Sequence, residues 1–142
     1  MKRSTAGWMV VLAYLAAGAA AWLTVTMLPR DMSILGKTFL ADIAATLVIF
    51  AAGRIARNAS IYDPYWSVAP PVIYAYWFYA LSPPISTGAA GIIILFLLYS
   101  VRLTWNWAHR WEGMHHEDWR YREFRSRFGR AFPFVELFGI EL

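Results

Sequence analysis

Long apolar segments constrain this chain more than any other feature of its sequence. Residues 6–28 carry no charged side chain, and residues 34–55, 67–81 and 89–107 form three further, predominantly apolar runs. A helix needs about 20 such residues to cross the hydrocarbon core of a bilayer. Hydrophobic residues make up 59% of the sequence and charged residues 15%, against about 45–50% and about 25% in soluble domains. The sequence therefore predicts an all-α integral membrane bundle of about four transmembrane helices.

The first apolar segment has two interpretations. Met1-Lys-Arg followed by an apolar run, with small residues at 19–21, resembles a secretory signal peptide and its cleavage site. The run continues to Leu28, which is longer than the apolar region of a typical signal peptide and favours a retained transmembrane helix. The length of 142 residues predicts a single membrane domain over residues 1–142.

Positive charge is concentrated near the C-terminus. Six arginines lie within residues 110–130, whereas residues 81–101 contain neither Lys nor Arg. By the positive-inside rule the C-terminus is cytoplasmic, and four spans then place the N-terminus in the cytoplasm as well. The expected partner of the arginines is the anionic cytoplasmic leaflet rather than nucleic acid. Because Tyr121, Phe124 and Phe128 recur at helical spacing among them, the segment is predicted to form an interfacial amphipathic helix.

A polar, aromatic loop at residues 58–70 separates the second and third apolar runs. Tyr62-Asp-Pro64 is typical of a turn, and Tyr65 and Trp66 are typical of membrane-interface anchors. The loop carries more polar and aromatic groups than a connector needs, so an interfacial turn and a functional loop both fit. The predicted topology puts this loop on the same side of the membrane as residues 111–121, where the two segments can meet.

Two further features are candidates for function. Asp42 lies within the second apolar run, where an ionisable residue is costly and usually faces the bundle interior or a cavity. Near the end of the fourth run, one helical face is polar. It carries Tyr99, Arg102, Asn106 and either His109 or Arg110. A stripe that snorkels to the interface and a binding site both fit this pattern.

Residues 115–118, with the sequence His-His-Glu-Asp, suggest a metal site at first sight. Adjacent histidines cannot both face one helical site, and no partner follows at the spacing of the H-E-x-x-H motif. The sequence also has no cysteine. No metal site is therefore predicted.

Several strings resemble a bacterial membrane family of unknown function that is grouped with steroid 5-alpha-reductases, sterol reductases and isoprenylcysteine methyltransferases. The matching strings are Ala41-Asp42 with Ala45-Thr46, Asn58-x-Ser60-x-Tyr62-Asp-Pro-Tyr-Trp-Ser-Val-x-Pro70, Arg102-Leu-Thr-x-Asn-Trp107 and His116-Glu-Asp-Trp-Arg-Tyr121. The resemblance covers about residues 41–142. It implies a multi-pass enzyme of the bacterial inner membrane that uses NADPH to reduce a carbon–carbon double bond in a lipid or steroid-like substrate.

The resemblance also implies roles for individual residues. In steroid reductases an acidic residue and a tyrosine hold the enone oxygen of the substrate, and an arginine three residues after that tyrosine binds the cofactor. Tyr99 and Arg102 have this spacing, and Asp63 is a looser match for the acid. Hydrogen bonds to the oxygen would stabilise the enolate that develops as hydride arrives. The predicted site residues are Asp63 and Tyr99 for catalysis, Arg102, Asn106, Arg110 and Arg120 for the cofactor, and Asp42, Tyr62, Tyr65 and Trp66 for the substrate.

Members of that family are usually much longer, and their later helices carry much of the NADPH pocket. We therefore expect the reductase-like region to be incomplete at its C-terminus. Two explanations fit: the chain is a truncated product, or it is half of a split enzyme and a second polypeptide supplies the missing helices. Two alternatives stand beside the reductase. One is a non-catalytic membrane fragment or partner subunit of a split enzyme, and the other is a membrane methyltransferase.

Overall fold

A computed structural model describes residues 3–142, and all regular secondary structure within them is helical. The α-helices are α1 (Arg3–Met27), α2 (Ile34–Ala56), α3 (Tyr65–Leu81), α4 (Thr87–Arg110), α5 (Trp119–Phe128) and α6 (Phe132–Glu136). Short 3-10 turns occupy Ala59–Ile61 and Gly129–Ala131, and a π-helical turn occupies Leu137–Glu141. The predicted all-α membrane fold is confirmed.

Three of these helices, α1, α2 and α4, are long and apolar enough to cross a membrane. The third predicted span corresponds to α3, which has 17 residues and lies at the lower limit of the roughly 17–25 residues that spanning helices use. Residues 3–142 therefore contain three full-length candidate spans and one shorter apolar helix. The cytoplasmic placement of the two termini stays a prediction.

The described chain forms two compact units. The first comprises residues 3–62 and 112–142, and the second comprises residues 63–111. In the first unit, α1 packs along α2, and small side chains at the contact allow the two backbones to approach closely. The buried residues of this pair include Ala6, Val10 and Ala17 on α1 and Ala41, Ala45 and Ile49 on α2.

After α2 the chain turns back along the first unit instead of leaving it. The amide of Asn58 donates to the carbonyl of Gly53 at 3.0 Å, and a Cβ at position 53 would lie only 3.3 Å from the Asn58 carbonyl oxygen. The hydroxyl of Tyr14, midway along α1, then donates to the Ile61 carbonyl at 3.0 Å. Residues 58–62 are all buried as a result. This part of the predicted interfacial loop is packed inside the protein.

The second unit is an antiparallel hairpin of α3 and α4. Helix α3 begins at Tyr65, two residues before the predicted start, because the carbonyl of Pro64 already accepts two helical hydrogen bonds. Pro70 and Pro71 consequently lie inside the helix rather than in its first turn as predicted. Their missing amides leave two carbonyl groups one turn earlier without their helical donors.

Candidate functional site

The register of α3 against α4 determines which way the predicted site residues of α4 point. The hydroxyl groups of Ser67 on α3 and Thr104 on α4 lie 2.9 Å apart and share a hydrogen bond. At 100° per residue, Ser100 falls on the same side of α4 as Thr104. Four polar residues fall on the opposite side, within about 80° of one another. They are Tyr99, Arg102, Asn106 and Arg110, and we call them the polar face of α4.

The polar face of α4 has no partner within the described residues. All four side chains are exposed, and among residues 3–142 none of them makes a hydrogen bond or an ion pair. Trp105 and His109 line the same shallow depression, with ring centroids 4.5 Å apart. Two guanidinium groups and an amide are therefore available here to an anionic ligand.

The remaining predicted residues of the second unit lie around the start of α3. Asp63 is half-buried, Tyr65 is buried and Trp66 is exposed. Because α3 and α4 are antiparallel, Asp63 lies at the same end of the hairpin as Asn106. Tyr99 makes no hydrogen bond within the described residues, so Asp63 and Tyr99 are not bonded to each other. Their proposed cooperation at a substrate oxygen stays a prediction.

In the first unit, the two polar segments that were expected to meet do so. We call this contact between residues 58–60 and 114–118 the loop junction. The side-chain amide of Asn58 donates to the carbonyls of Met114 and His116, each at 3.0 Å. Its oxygen accepts from the amide of Ser60 at 2.9 Å. The Asn58 residue is fully buried, and its amide group is thus satisfied in both directions.

Two carboxylates complete the loop junction. Glu117 Oε1 accepts from the amide of Ala59 at 2.9 Å and from Nη2 of Arg125 at 2.7 Å. Asp118 caps the start of α5, and its own amide donates to Ser60 Oγ at 2.7 Å. Arg120 pairs with Asp118 at 2.9 Å, and this contact is the main reason that the pKa of Asp118 is lowered. Arg120, predicted to bind the cofactor, is thus already engaged by a carboxylate.

Tyr62, predicted to bind substrate, lies just beyond the loop junction and is buried. Its hydroxyl donates to the backbone carbonyl of Glu141 at 2.6 Å. Burial raises the pKa of Tyr62 to about 12; the hydroxyl of Thr46 opposes this rise, and the carboxylates of Glu141 and Asp42 add to it. Asp42, a second predicted substrate residue, is half-buried one turn before Thr46 on α2. In this structure the hydroxyl of Tyr62 links the loop after α2 to the C-terminal helical turn. A substrate contact by Tyr62 or Asp42 stays a prediction.

Two buried carboxyl groups near the C-terminus were not predicted from the sequence. Glu136 is 1% exposed and lies 3.5 Å from Nη1 of Arg54, and burial is the main cause that raises its pKa. Glu141 is 5% exposed; burial first, and the Glu136 carboxylate second, raise its pKa to about 8. The available signal was two carboxylates within the otherwise apolar stretch 132–142.

Residues 115–118 contribute to the loop junction through their backbone and carboxylate groups. Among residues 3–142, no group of three or more His, Asp or Glu side chains is arranged to hold a metal ion. His115 and His116 are exposed, and the carbonyl of His116 accepts from Asn58.

Helix α5 forms where the amphipathic helix was predicted, but part of its apolar face packs on protein. Tyr121 is 3% exposed and, with Phe124, contacts a small core that contains Ala59 and Phe132. Phe128 remains partly exposed. The loop junction brings residue 59 against α5. The spacing of aromatic residues within α5 could not indicate this contact with a distant segment.

The exposed arginines of this region lead to a first prediction. Arg122, Arg127 and Arg130 are exposed and make no ion pair within the described part of the chain, whereas Arg125 is bonded to Glu117. Replacing the three exposed arginines by glutamine is expected to weaken association of α5 with anionic lipid by about 3 kcal/mol, at about 1 kcal/mol per residue. The measurement is binding of peptides spanning residues 117–131 to vesicles with and without phosphatidylserine. Arg125→Gln, which removes one positive charge that pairs with Glu117, is the comparison within the same peptide and should weaken binding by no more than about 1 kcal/mol. Equal binding of wild type and triple variant would contradict the electrostatic account.

Comparison with family models identifies the chain. A model described as "Protein of unknown function (DUF1295)" matches residues 49–141, about two thirds of the sequence. The chain belongs to the DUF1295 family. The match begins in the second half of α2 and includes the loop junction and the polar face of α4. No curated protein and no solved structure matches the chain, and the relation of this DUF1295 protein to steroid reductases stays a prediction.

Proposed function

We propose that this DUF1295 protein is a membrane-embedded, reductase-like protein that uses NADPH to reduce a carbon–carbon double bond in a hydrophobic, lipid or steroid-like substrate. The observation that carries the proposal is the polar face of α4. Polar groups at the end of an apolar helix are costly unless they have a partner, a cavity or the interface. An anionic cofactor would supply the missing partner.

The residues of the polar face fit the chemistry of NADPH. Arg102 and Arg110 are eight residues apart, which separates their Cα atoms by about 12 Å along the helix axis. Guanidinium groups bind phosphate oxygens through paired, charge-assisted hydrogen bonds, and NADPH carries phosphates at separated positions. Asn106 lies between the two arginines and offers both donors and an acceptor. Trp105 beside them offers an aromatic surface for a heterocyclic base.

When bound, NADPH supplies the hydride. The protein's own part is to bind the cofactor and to hold the oxygen of an enone-type substrate. Tyr99 lies one turn before Arg102, about 4.5 Å along the axis, and its exposed hydroxyl can donate to that oxygen as negative charge develops on it. Asp63 is the proposed second group at the oxygen, and Tyr65 and Trp66 are the proposed substrate contacts of the same unit.

The direct test of this proposal is equilibrium titration of the purified full chain with NADPH in lipid nanodiscs. The titration is repeated with a co-expressed polypeptide that carries further helices, because the family resemblance implies additional helices around the cofactor. Saturable binding of NADPH with weaker binding of NADH would support the proposal. Lack of NADPH binding by folded wild type in both preparations would overturn it.

The alternative is a non-catalytic partner subunit, and the exposure of α4 favours it as a second candidate. In the most apolar 18-residue stretch of α4 only 6% of the residues are buried, against 28% in the corresponding stretch of α2. In that case another membrane helix would cover the polar face, and its acidic side chains would pair with Arg102 and Arg110. Crosslinking of an Asn106→Cys variant to neighbouring polypeptides distinguishes the two. If the polar face binds NADPH, added NADPH should reduce crosslinking at this position. If another helix covers the face, NADPH should leave crosslinking unchanged.

A further inference from the structure

The carboxyl group of Glu141 is buried without a compensating partner. Its Oε2 atom is buried and has no hydrogen bond, and among residues 3–142 the side chain makes no ion pair. Only the backbone carbonyl of Glu141 is anchored, by the hydroxyl of Tyr62 at 2.6 Å. A carboxylate in this position would be a buried, unpaired charge, whereas the protonated acid is neutral. The surroundings therefore favour a bound proton.

The charged groups around Glu141 do not neutralise it. The titratable and charged groups that face this region from α2, the loops, α5 and α6 are Asp42, Arg54, Tyr62, Glu117, Arg125 and Glu136. Arg54 lies 3.5 Å from Glu136, and Arg125 lies 2.7 Å from Glu117. Both cations are thus matched to other carboxylates. The Glu136 carboxylate further disfavours a second negative charge nearby.

We propose that Glu141 is a proton-binding site that controls the docking of the helical turn Leu137–Glu141 onto Tyr62 and α2. In the docked state the carboxyl group is buried and protonated, and Tyr62 holds the Glu141 carbonyl. Deprotonation breaks the O–H bond of the acid and transfers the proton to water. The carboxylate that remains is more stable in water than in the protein, so the turn separates from Tyr62 and α2.

The direction of the pH dependence follows from the pKa of Glu141. Burial raises this pKa to about 8 in the docked state, against about 4.3 for an exposed glutamate. Because the docked pKa is the higher one, docking is fully stable below about pH 4.3 and is lost as the pH rises through about 8. Between these limits the equilibrium constant for docking falls about tenfold per pH unit, since only the undocked form ionises.

Spin labelling of the full chain tests this proposal. The sequence has no cysteine, so Leu142→Cys provides a single attachment point beside Glu141 for a nitroxide. In nanodiscs between pH 5 and pH 10, the ratio of mobile to immobile label is expected to rise about tenfold per pH unit and to level off near pH 8. Glu141→Gln keeps the neutral form and should remain immobile throughout. Glu112→Gln, which changes an exposed glutamate of the same unit, should behave as the wild type.

Several outcomes would overturn the proposal. These are a wild type that stays immobile up to pH 10, and a Glu141→Gln variant that titrates as the wild type does. A third is loss of the pH dependence of label mobility in Glu136→Gln but not in Glu141→Gln, because the titrating group would then be Glu136. Tyr62→Phe should raise the mobile fraction at every pH because the anchor at the Glu141 carbonyl is lost, and an unchanged mobile fraction would contradict the docking contact. Circular dichroism of each variant checks that helix content is retained.

Discussion

Substitution of Arg102 by alanine is expected to weaken NADPH binding by roughly 10- to 100-fold, because a charge-assisted hydrogen bond contributes about 1.5–3 kcal/mol. Arg102 has no ion-pair partner within the described residues, so its loss leaves no carboxylate uncompensated. Arg102→Lys should retain part of the affinity, since an ammonium group keeps the charge but not the planar fork. Titration of each variant with NADPH in nanodiscs provides the measurement. Arg122→Ala, which changes an exposed arginine on α5, is the matched control and should bind as the wild type does.

Tyr99→Phe separates binding from chemistry on the same helical face. The hydroxyl of Tyr99 is exposed and makes no hydrogen bond in residues 3–142, so its removal should leave both the fold and NADPH affinity unchanged. If it donates to the substrate oxygen, turnover should fall by roughly 100-fold, as for the loss of one oxyanion donor. NADPH oxidation in the presence of a panel of enone lipids and steroids measures this. A polar stripe that serves only to reach the interface predicts that Tyr99→Phe is silent and that Arg102→Ala alters membrane insertion alone.

The spacing of apolar and polar residues was sufficient to predict the helices but not their environments. Long apolar runs identified α1 and α2, and a 3.6-residue period placed Tyr99, Arg102 and Asn106 on one face of α4. What periodicity cannot show is which side of a helix a neighbour covers. The Ser67–Thr104 hydrogen bond supplies that information, and it directs this polar face away from α3.

The start of α3 shows two local signals that act at neighbouring residues. The residue before a proline avoids helical geometry, and Asp63-Pro64 therefore indicated a turn. Pro64 itself is also suited to initiating a helix, because its missing amide would have no helical partner there. Both signals are present in the sequence. The chain forms a turn at Asp63 and Pro64, and the helix begins directly after Pro64. As a result α3 starts at Tyr65, and Pro70 and Pro71 lie in its interior.

The loop junction could be predicted only in part. Residue types indicated that the loop after α2 carries more polar and aromatic groups than a connector needs, and the predicted topology placed it on the same side of the membrane as residues 111–121. The pairing of individual atoms depends on backbone carbonyls such as those of Met114 and His116, which have no signature in the sequence. The two polar segments are joined to each other through the side chain of Asn58, so the contribution of Asn58 to stability can be measured.

Asn58→Ala is expected to destabilise the first unit by about 3 kcal/mol or more. The substitution removes the partner of three backbone groups, the buried amide of Ser60 and the carbonyls of Met114 and His116. Each lost hydrogen bond costs about 0.5–1.5 kcal/mol, and the buried amide of Ser60, left unsatisfied, costs about 1–3 kcal/mol. The measurement is the free energy of unfolding in mixed micelles without ligand. Asn106→Ala is the matched control, because this asparagine is exposed and unbonded within the described residues, and it should change stability by less than about 0.5 kcal/mol.

Asn58→Asp sharpens the same test by changing only the amide nitrogen. The carboxylate still accepts from the Ser60 amide, but it turns two attractive contacts with carbonyl oxygens at 3.0 Å into repulsive ones. It also places a charge at a fully buried position, and no cation among the described residues bonds to Asn58. Asn58→Asp should therefore destabilise the protein more than Asn58→Ala and should recover stability at low pH, where the carboxyl group is protonated and regains one donor. Equal stability of the two variants at pH 7 would show that the loop junction is held by packing and not by the side-chain amide of Asn58.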